Sequence, residues 1–472
     1  MNDLTKLSVL YDASNKGVRT LFSLILSLFL FGCASNAIKT DVVESVKDTT
    51  KPKSIFVFID GTGNSSKVPT NVYRAFEAIK ENNDEQTLAY YIVGVGNAND
   101  PIEGAAEKIF AFGMEERILK GYKFITKNYR PRDRIYIFGF SRGAHTARWL
   151  AGLISYAGVP KLEDAELNES IWDSFFTSEW NIGNKILEFT RKQIDISHAE
   201  DWRNWKRGDA PILAESINDE VKSILGRSKN IEVQSAEIEF LGVWDTVPGS
   251  QGINYFDNKT DVVCKQHKDS TDNKQRYQID SYPPIRHIAH AVSKDEMRSE
   301  FKPLFLCSKK IDINSVHNEN LTKLDEMVFP GAHADVGGGY EHKNNQLPDI
   351  SLNWMIERLE EHYSLPNKHK FIDDELKTKA KGLANLSISD KKGSMGSSCI
   401  NRELPPDITF HDSITIRDKA GAVPWLYFDK KPKGDYPEQS CKDWVNPKPD
   451  GTKEENVLCI KQSSITCSNL GY

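Results

Sequence analysis

The sequence lacks several features that would place it in well-defined classes of proteins. Its 61 Lys and Arg face 67 Asp and Glu, a net charge of -6, so it has no basic excess of the kind that binds nucleic acid. It shows no repeat period, which argues against solenoids and propellers. Over 472 residues, the 39% hydrophobic content predicts an ordinary globular body with one large core or two modest ones.

Long apolar runs are also missing, except for one near the N-terminus. Leu21–Phe31 follows Lys16 and Arg19 and is too short to span a membrane comfortably, but it suits the core of a signal peptide. Gly32 and Cys33 come next. This order resembles a bacterial lipoprotein signal, in which peptidase cuts before a cysteine that carries the lipid. The alternative is a plain signal peptide or short anchor with an incidental cysteine.

The lipoprotein interpretation divides the N-terminal region into a signal peptide, residues 1–32, and a polar tether, residues 33–53. Ala34 follows the cysteine, and by resemblance to lipoprotein sorting rules the absence of aspartate there favours the outer membrane. We therefore expect a lipid-anchored protein of the bacterial cell envelope that faces the periplasm.

Cysteine is scarce, and its spacing fits no zinc-binding pattern. Apart from Cys33, the sequence contains six cysteines: Cys264, Cys307, Cys399, Cys441, Cys459 and Cys467. An even number in an exported protein predicts disulfides, and four of the six lie in the C-terminal segment. We expect a disulfide-stapled, loop-rich C-terminal extension over residues 366–472, with reduced buried thiols as the alternative.

Signatures of bound cofactors are absent as well. Gly337–Gly339 lacks the lysine and the serine or threonine of a phosphate-binding loop, so a nucleotide site is not expected. No histidine spacing is typical of a metal site. The sequence therefore predicts neither a cofactor nor a metal.

The clearest motif that is present is a strand, a sharp turn and a helix around Ser141. The β-rich run Arg134–Phe138 leads into the pattern Gly-x-Ser-x-Gly at residues 139–143, and Thr146–Ile154 continues with apolar residues at helical spacing. Such a turn exposes a serine hydroxyl beside helical N–H groups, which makes Ser141 the candidate nucleophile. The alternative is a serine that merely caps the helix.

Strands and helices alternate along much of the chain, which predicts an α/β fold with a mostly parallel sheet flanked by helices. The expected strands cover residues 54–59, 88–94, 134–138, 238–244 and 327–332, with helices after residue 69, over 103–129 and over 283–292. The predicted catalytic domain spans 54–365 and includes an inserted helical cap at 162–230. The apolar residues of this cap could line an acyl-chain channel or form plain core.

Three of the expected strands end at Ser141, Asp245 and the segment that begins with His333. Open α/β sheets hold their sites at the carboxyl ends of the strands, so these side chains can converge. The order serine, acid, histidine matches the α/β-hydrolase arrangement, in which histidine takes the serine proton and the acid orients the imidazole. Asp245 could instead close an Asx turn, and Asp335 is a rival acid.

His333 has rivals, namely His145, His287, His290 and His411. We expect His145 to pack structurally because it lies one turn after Ser141 on the same helix. His411 is the strongest competitor because it also follows Asp245. His333 is preferred since an apolar strand precedes it and a glycine run follows it.

The segment Asp60-Gly61-Thr62 ends the first strand of the domain. Haloacid-dehalogenase phosphatases carry a nucleophilic aspartate two residues before such a segment, but here that position is Phe58, which argues against a phosphatase. Gly61 and Thr62 could instead supply an oxyanion-hole N–H beside that of Arg142, the residue after the predicted nucleophile. The alternative is a simple turn.

Four blocks together resemble the bacterial α/β-hydrolase family that includes type VI secretion phospholipase effectors. They are Phe58–Asn64, Gly139–Ala144, Gly242–Val247 and His333–Tyr340. The resemblance implies esterase chemistry on phospholipid acyl bonds, with Ser141, Asp245 and His333 as the triad. Since secretion effectors are not expected to carry a lipoprotein signal, a resident envelope hydrolase fits the N-terminus better than a toxin.

Three functions follow as hypotheses. The first is a lipid-anchored serine esterase or phospholipase, whose partners are a lipid or other acyl-ester substrate and the membrane. The second is a lipoprotein that keeps the fold as a non-catalytic binding module, and the third is hydrolysis of another acyl compound, such as a thioester or small ester. The sequence identifies no protein partner.

Overall fold

The computed structural model describes part of the chain. The described residues are 40–44, 46, 48, 50–62, 69–82, 84–94, 106–161, 205–217, 219, 232–247, 284–306, 322–340, 346–366, 379–390, 398–441 and 456–472. No helix among them is both long and apolar enough to cross a membrane. The predicted signal peptide, Cys33, Cys264, Cys307 and most of the predicted cap lie outside them.

The main sheet has eight strands. They are β1 (Thr40–Glu44), β2 (Ser54–Ile59), β3 (Thr87–Ile92), β4 (Arg134–Phe140), β7 (Ile238–Trp244), β8 (His287–Ser293), β9 (Lys323–Phe329) and β11 (Thr409–Phe410). Their order across the sheet is β1-β3-β2-β4-β7-β8-β9-β11. Every neighbouring pair is parallel except β1 and β3, which are antiparallel. The central strands are almost entirely buried, as expected for a parallel sheet covered on both faces.

Smaller elements complete the described part. The remaining strands are β5 (Val159–Lys161), β6 (Glu232–Gln234), β10 (Ala384–Asn385), β12 (Val423–Leu426) and β13 (Val457–Ile460). The helices are α1 (Asn71–Asn82), α2 (Ala106–Asn128), α3 (Arg142–Ala157), α4 (His333–Gly337), α5 (Leu347–Leu359), α6 (Asp412–Lys419) and α7 (Cys467–Leu470).

Alternate residues of β2 show how helices cover both faces of the sheet. The ring of Phe56 meets Tyr363, just after α5, edge to face at 4.9 Å, and Phe58 contacts Phe76 of α1. Val57 points to the opposite face, where it lies against Gly121 of α2. The mostly parallel sheet with flanking helices that the sequence predicts is therefore present, and its carboxyl edge is where β2, β4, β7 and β8 end.

One predicted element is wrong. The helix predicted over 283–292 is wrong, because His287–Ser293 is the strand β8 between β7 and β9. All seven residues of β8 are buried, and short apolar runs of this kind cannot be assigned to helix or strand by periodicity alone. The correction matters for function, since it makes Ser293 the end of a central strand.

The segments that flank the predicted catalytic domain pair with its sheet. Within the predicted tether, β1 forms the antiparallel edge beside β3. From the predicted C-terminal extension, β11 pairs in parallel with β9. The extension also forms a three-stranded sheet, β10-β12-β13, and contains the disulfides Cys399–Cys467 and Cys441–Cys459. The disulfide-stapled tail predicted from the cysteines is therefore confirmed.

Candidate active site

Ser141 occupies the sharp turn between β4 and α3. Its φ of 60° and ψ of -126° place a residue with a side chain in a strained part of backbone space. The backbone N–H of Ser141 donates to the Trp244 carbonyl at 3.0 Å, and the Ser141 carbonyl accepts from Val247 N–H at 3.3 Å. These bonds hold the turn against the end of β7.

Two glycines make this turn possible by leaving no side chain at points of close approach. A Cβ on Gly139 would lie 2.4 Å from the Gly143 carbonyl oxygen, and a Cβ on Gly143 would lie 2.3 Å from that of Ile59. The start of α3 therefore presses directly against the end of β2. This contact brings Gly61 and Thr62 next to the N-terminal turn of α3, whose N–H groups point out of the helix.

Asp245 follows the last residue of β7 and also has a positive φ, 38°. Its N–H donates to the Ala291 carbonyl of β8 at 2.7 Å. The carboxylate is completely buried and accepts five hydrogen bonds, from Ser293 N–H, Ser293 Oγ, His333 Nδ1 and both terminal nitrogens of Arg402. Its surroundings fix both of its oxygen atoms.

His333 begins α4 and lies between the other two side chains. Its Nδ1 is 2.5 Å from Asp245 Oδ2, and its Nε2 is 2.7 Å from Ser141 Oγ. Because a carboxylate only accepts, Nδ1 carries the ring proton and Nε2 accepts from the serine hydroxyl. Phe140 and Phe301 pack against the imidazole, with ring centroids at 4.6 and 4.9 Å. The three residues predicted from the sequence thus form one hydrogen-bonded chain, and their catalytic roles stay a prediction.

Burial and nearby charges set the protonation states of Asp245 and His333. Burial raises the pKa of Asp245, but the Arg402 charge and the His333 hydrogen bond outweigh burial and hold this pKa well below its usual range. Burial lowers the pKa of His333 from its ordinary 6.5, against the opposing effect of Asp245. The imidazole is therefore neutral at neutral pH, the form that can take a proton from Ser141.

A second buried carboxylate holds the backbone of His333. Glu296 accepts from His333 N–H at 3.1 Å, from Ser387 Oγ at 2.9 Å, and from the guanidinium of Arg298 through both of its oxygens. Burial raises the pKa of Glu296, but the Arg298 charge outweighs burial and lowers the pKa to about 2. The Arg298 guanidinium also lies 3.5 Å from the centre of the Phe301 ring, which packs against His333.

The rivals of the predicted triad have other partners. Asp335 accepts from Ala332 N–H and from the backbone and side chain of Asn385, so it ties the start of α4 to β10. His411 caps α6 through Ser413 and stacks on Phe329 at 4.8 Å.

The other three histidines also lie elsewhere. His287 faces Asp325 and His362. His290 lies between Glu326 and Thr246 N–H, and His145 is buried within α3.

Gly61, one of the predicted oxyanion-hole residues, has its N–H bound within the protein. Gly61 N–H donates to Asp60 Oδ1 at 2.7 Å. Tyr91 and Thr70 hydroxyls bind the same buried carboxylate, whose pKa burial raises to about 6. Asp60 therefore anchors the turn after β2, and Arg142 and Thr62 remain the predicted donors.

Sequence reasoning missed Arg402, which reaches Asp245 from the C-terminal segment. Besides both carboxylate oxygens, it donates to the carbonyls of Ser293 and Phe301. No sequence pattern marks this arginine. Ser293 and Glu296 could have been found once β8 is recognised as a strand, because Ser293 ends it and Glu296 follows it.

A family model described as "T6SS, Phospholipase effector Tle1-like, catalytic domain" matches residues 53–358, which is more than half of the chain. A protein of Saccharomyces cerevisiae, the uncharacterized YEL023C, is 25% identical over 267 residues. That match covers 53% of this chain but only 32% of the yeast protein.

Two solved structures are among those matched to this chain. The Tle1 effector bound to the VgrG spike of the type 6 secretion system is 15% identical, with a TM-score of 0.32, and the match covers 90% of this chain and 97% of that one. The Est2 esterase of the Planctomycetes species Thermogutta terrifontis, with propionate bound, is 10% identical with a TM-score of 0.32, over 68% and 88% of the two chains. The family match over residues 53–358 shows that the chain belongs to the Tle1-like phospholipase effector family, a family of lipid-ester hydrolases.

Proposed function

We propose that this protein is a serine hydrolase that cleaves carboxylic ester bonds of lipids through an acyl-enzyme on Ser141. The observation that carries the proposal is the chain from Ser141 Oγ to His333 Nε2 at 2.7 Å and from His333 Nδ1 to Asp245 Oδ2 at 2.5 Å. A binding module on the same fold would need neither a strained serine nor a buried acid that orients an imidazole.

The first half of the reaction acylates the serine. The Ser141 hydroxyl proton moves to His333 Nε2 while Oγ attacks the carbonyl carbon and forms a tetrahedral oxyanion. Asp245 stabilises the imidazolium that results. His333 then gives the proton to the leaving alcohol oxygen, the acyl carbon–oxygen bond breaks, and the acyl group remains on Ser141.

The second half repeats these steps with water. His333 takes a proton from the water, the hydroxide attacks the acyl carbon, and the proton returns to Ser141 as the fatty acid leaves. Arg142 and Thr62 are the proposed N–H donors to the oxyanion in both halves, since Gly61 N–H is held by Asp60. The proposed lipid substrate class follows from the family.

The test compares the full chain with its Ser141→Ala variant on phospholipid vesicles and on short p-nitrophenyl esters. We expect turnover to fall by roughly 10⁵- to 10⁶-fold, because the nucleophile is lost. Ser155→Ala is the matched control, since its hydroxyl donates to Ala151 within the last turns of α3, and its activity should equal that of the wild type.

Three outcomes of this assay bear on the proposal. Equal rates for Ser141→Ala and wild type would remove the enzyme proposal. Activity on the short esters alone would keep the serine hydrolase and remove the lipid substrate. A loss of rate in both serine variants would assign the effect to the fold of α3 rather than to the nucleophile.

We further propose that Cys33 carries a lipid that anchors the protein in the bacterial envelope, with the catalytic domain in the periplasm. The support is the order of the apolar run, Gly32 and Cys33. Cys33→Ser should abolish labelling by radioactive palmitate and leave an unprocessed precursor, while Ser35→Ala should be processed normally. Normal processing and labelling of Cys33→Ser would contradict the anchor.

A further inference from the structure

A cluster of histidines and carboxylates lies at the amino ends of β7, β8 and β9, the edge of the sheet opposite to Ser141. His287 is the first residue of β8, and Glu361 and His362 follow the end of α5. One nitrogen or oxygen from each of these three residues lies within 4.8 Å of the others. His287 and Ser293, which binds Asp245, are six positions apart on β8, so the cluster and the proposed active site are about 20 Å apart.

Two ring nitrogens in this cluster face each other, and their hydrogen-bond partners leave both without a proton, so that a cation is needed between them. His287 Nε2 faces Asp325 Oδ2 at 2.9 Å, and His362 Nδ1 faces Glu239 Oε1 at 3.1 Å. Carboxylates only accept, so these two outer nitrogens carry the ring protons. In neutral imidazoles the inner nitrogens, His287 Nδ1 and His362 Nε2, then face each other at 2.9 Å with lone pairs on both. Only a shared proton or a metal cation relieves this repulsion.

From this arrangement we propose that His287 Nδ1, His362 Nε2 and the Glu361 carboxylate bind a divalent transition metal of the zinc class. Two imidazoles and one carboxylate form a donor set that zinc accepts, whereas magnesium and calcium prefer oxygen ligands. Each histidine donates its outer N–H to a carboxylate, the arrangement that orients histidines around bound metals and raises their basicity.

Admission of the metal requires both rings to turn. His287 Nδ1 and His362 Nε2 lie 2.9 Å apart, whereas two nitrogens bound to one tetrahedral zinc at about 2.0–2.1 Å lie roughly 3.3–3.4 Å apart. Each ring therefore turns so that its inner nitrogen faces the metal instead of the other ring. Glu361 is paired with Lys323 at 2.7 Å and exchanges this partner for the metal. The side chains of Glu361 and His362 are 40% and 16% exposed, which gives an ion a path from solvent.

The metal acts on stability rather than on ester hydrolysis. It links the residues after α5 to the first residue of β8 and so fastens a helix to the amino end of the sheet. Three basic side chains, Arg286, Arg358 and Lys323, already balance the carboxylates around it. The inference therefore does not depend on the function proposed for Ser141.

The test uses the purified full chain after treatment with a chelator and desalting, and it adds zinc chloride alone. We expect one zinc per chain in competition with a chromophoric chelator, and a rise in Tm on binding. His362→Gln should abolish both effects. Asp325→Asn should weaken zinc binding by about 10- to 100-fold, as expected for a carboxylate that orients a ligand histidine.

Glu357→Gln is the matched control, because Glu357 lies on α5 and its side chain is 55% exposed. It should bind zinc like the wild type. Each variant is compared with its own metal-free form, so that a general loss of stability does not imitate a loss of binding. Absence of bound zinc in the wild type, or equal binding by His362→Gln, would leave a shared proton between the rings and overturn the proposal. A cobalt(II) spectrum with thiolate charge-transfer bands would overturn it too, by assigning the metal to cysteines.

Discussion

The two edges of the sheet each hold a histidine against a carboxylate, and they differ in what lies at the other ring nitrogen. At the carboxyl edge, His333 has Asp245 on one side and the Ser141 hydroxyl, which can give up a proton, on the other. At the amino edge, His287 has Asp325 on one side and the lone pair of His362 on the other. A proton donor at that position suits a general base, and a second lone pair suits a metal ligand.

The carboxylates at the two edges also differ in their burial and in their charged partners. The Asp245 carboxylate is fully buried and paired with Arg402, so its charge is fixed and directed at His333. The Asp325 side chain is 28% exposed and shares its charge with Arg358 and Lys323. The carboxyl edge is thus organised around one proton that moves, while the amino edge is accessible to ions from solvent.

The largest expected difference between the two edges is in the turnover of ester substrates by matched histidine variants. His333→Ala removes the proposed base, so turnover of phospholipid or p-nitrophenyl ester should fall by roughly 10⁵- to 10⁶-fold. His362→Ala should leave turnover near the wild-type rate at the same temperature, because it acts about 20 Å away. The measurement is kcat/KM of both variants under conditions where circular dichroism shows them folded. Equal losses of turnover in the two variants would contradict the separate roles proposed for the two edges.

A smaller effect is expected from Arg402→Gln. Loss of its charge-assisted hydrogen bonds to Asp245, each worth about 1.5–3 kcal/mol, should lower kcat/KM by roughly 10- to 100-fold.

The pH profile of kcat/KM separates an effect of Arg402 on the positioning of Asp245 from an effect on folding. Because burial lowers the pKa of His333, wild-type kcat/KM should fall only as the pH drops through a value below 6.5. Without the neighbouring cation the imidazolium is more stable, so the acidic limb of Arg402→Gln should move to higher pH.

Arg417→Gln is the control for this shift. Arg417 is a fully buried arginine that binds Gln462 and the carbonyls of Ala380 and Gly382. Its loss should lower Tm and leave the acidic limb where it is. Arg402→Lys should restore part of the wild-type profile, since it keeps the charge but not the paired geometry. If the acidic limb of the kcat/KM profile stayed in place in Arg402→Gln, this would contradict the role of Arg402 in positioning Asp245.

The sequence predicts the parts of the fold that depend on local pattern. Each of the five predicted strands overlaps an observed strand, because runs such as Ser54–Ile59 are buried on both faces and are apolar throughout. The fifth, predicted at 327–332, is displaced, since the observed strand is Lys323–Phe329. Convergence of Ser141, Asp245 and His333 could also be predicted, since strand ends of a parallel sheet share one edge. Predicting these features requires only the pattern of neighbouring residues and the rule that the strands of a parallel sheet end at one edge.

The rest depends on contacts between distant segments, which no local pattern encodes. His287–Ser293 has the composition of either a buried helix or a buried strand, so its assignment was wrong. Arg402 reaches Asp245 across 157 residues, and His287 meets His362 across 75, so spacing reveals neither pair. Gly61 looks like an oxyanion donor by position, but its N–H turns toward the Asp60 side chain.

The central claim is that Ser141 is a nucleophile activated by His333. Its most direct test is to treat the full chain with a fluorophosphonate, which reacts covalently with activated serines, and to locate the adduct by mass spectrometry of peptides. The account predicts one adduct per chain, on Ser141, that forms at least several hundredfold more slowly in His333→Ala, in line with loss of the general base. An adduct on another residue, or an equal rate of labelling in His333→Ala, would contradict it.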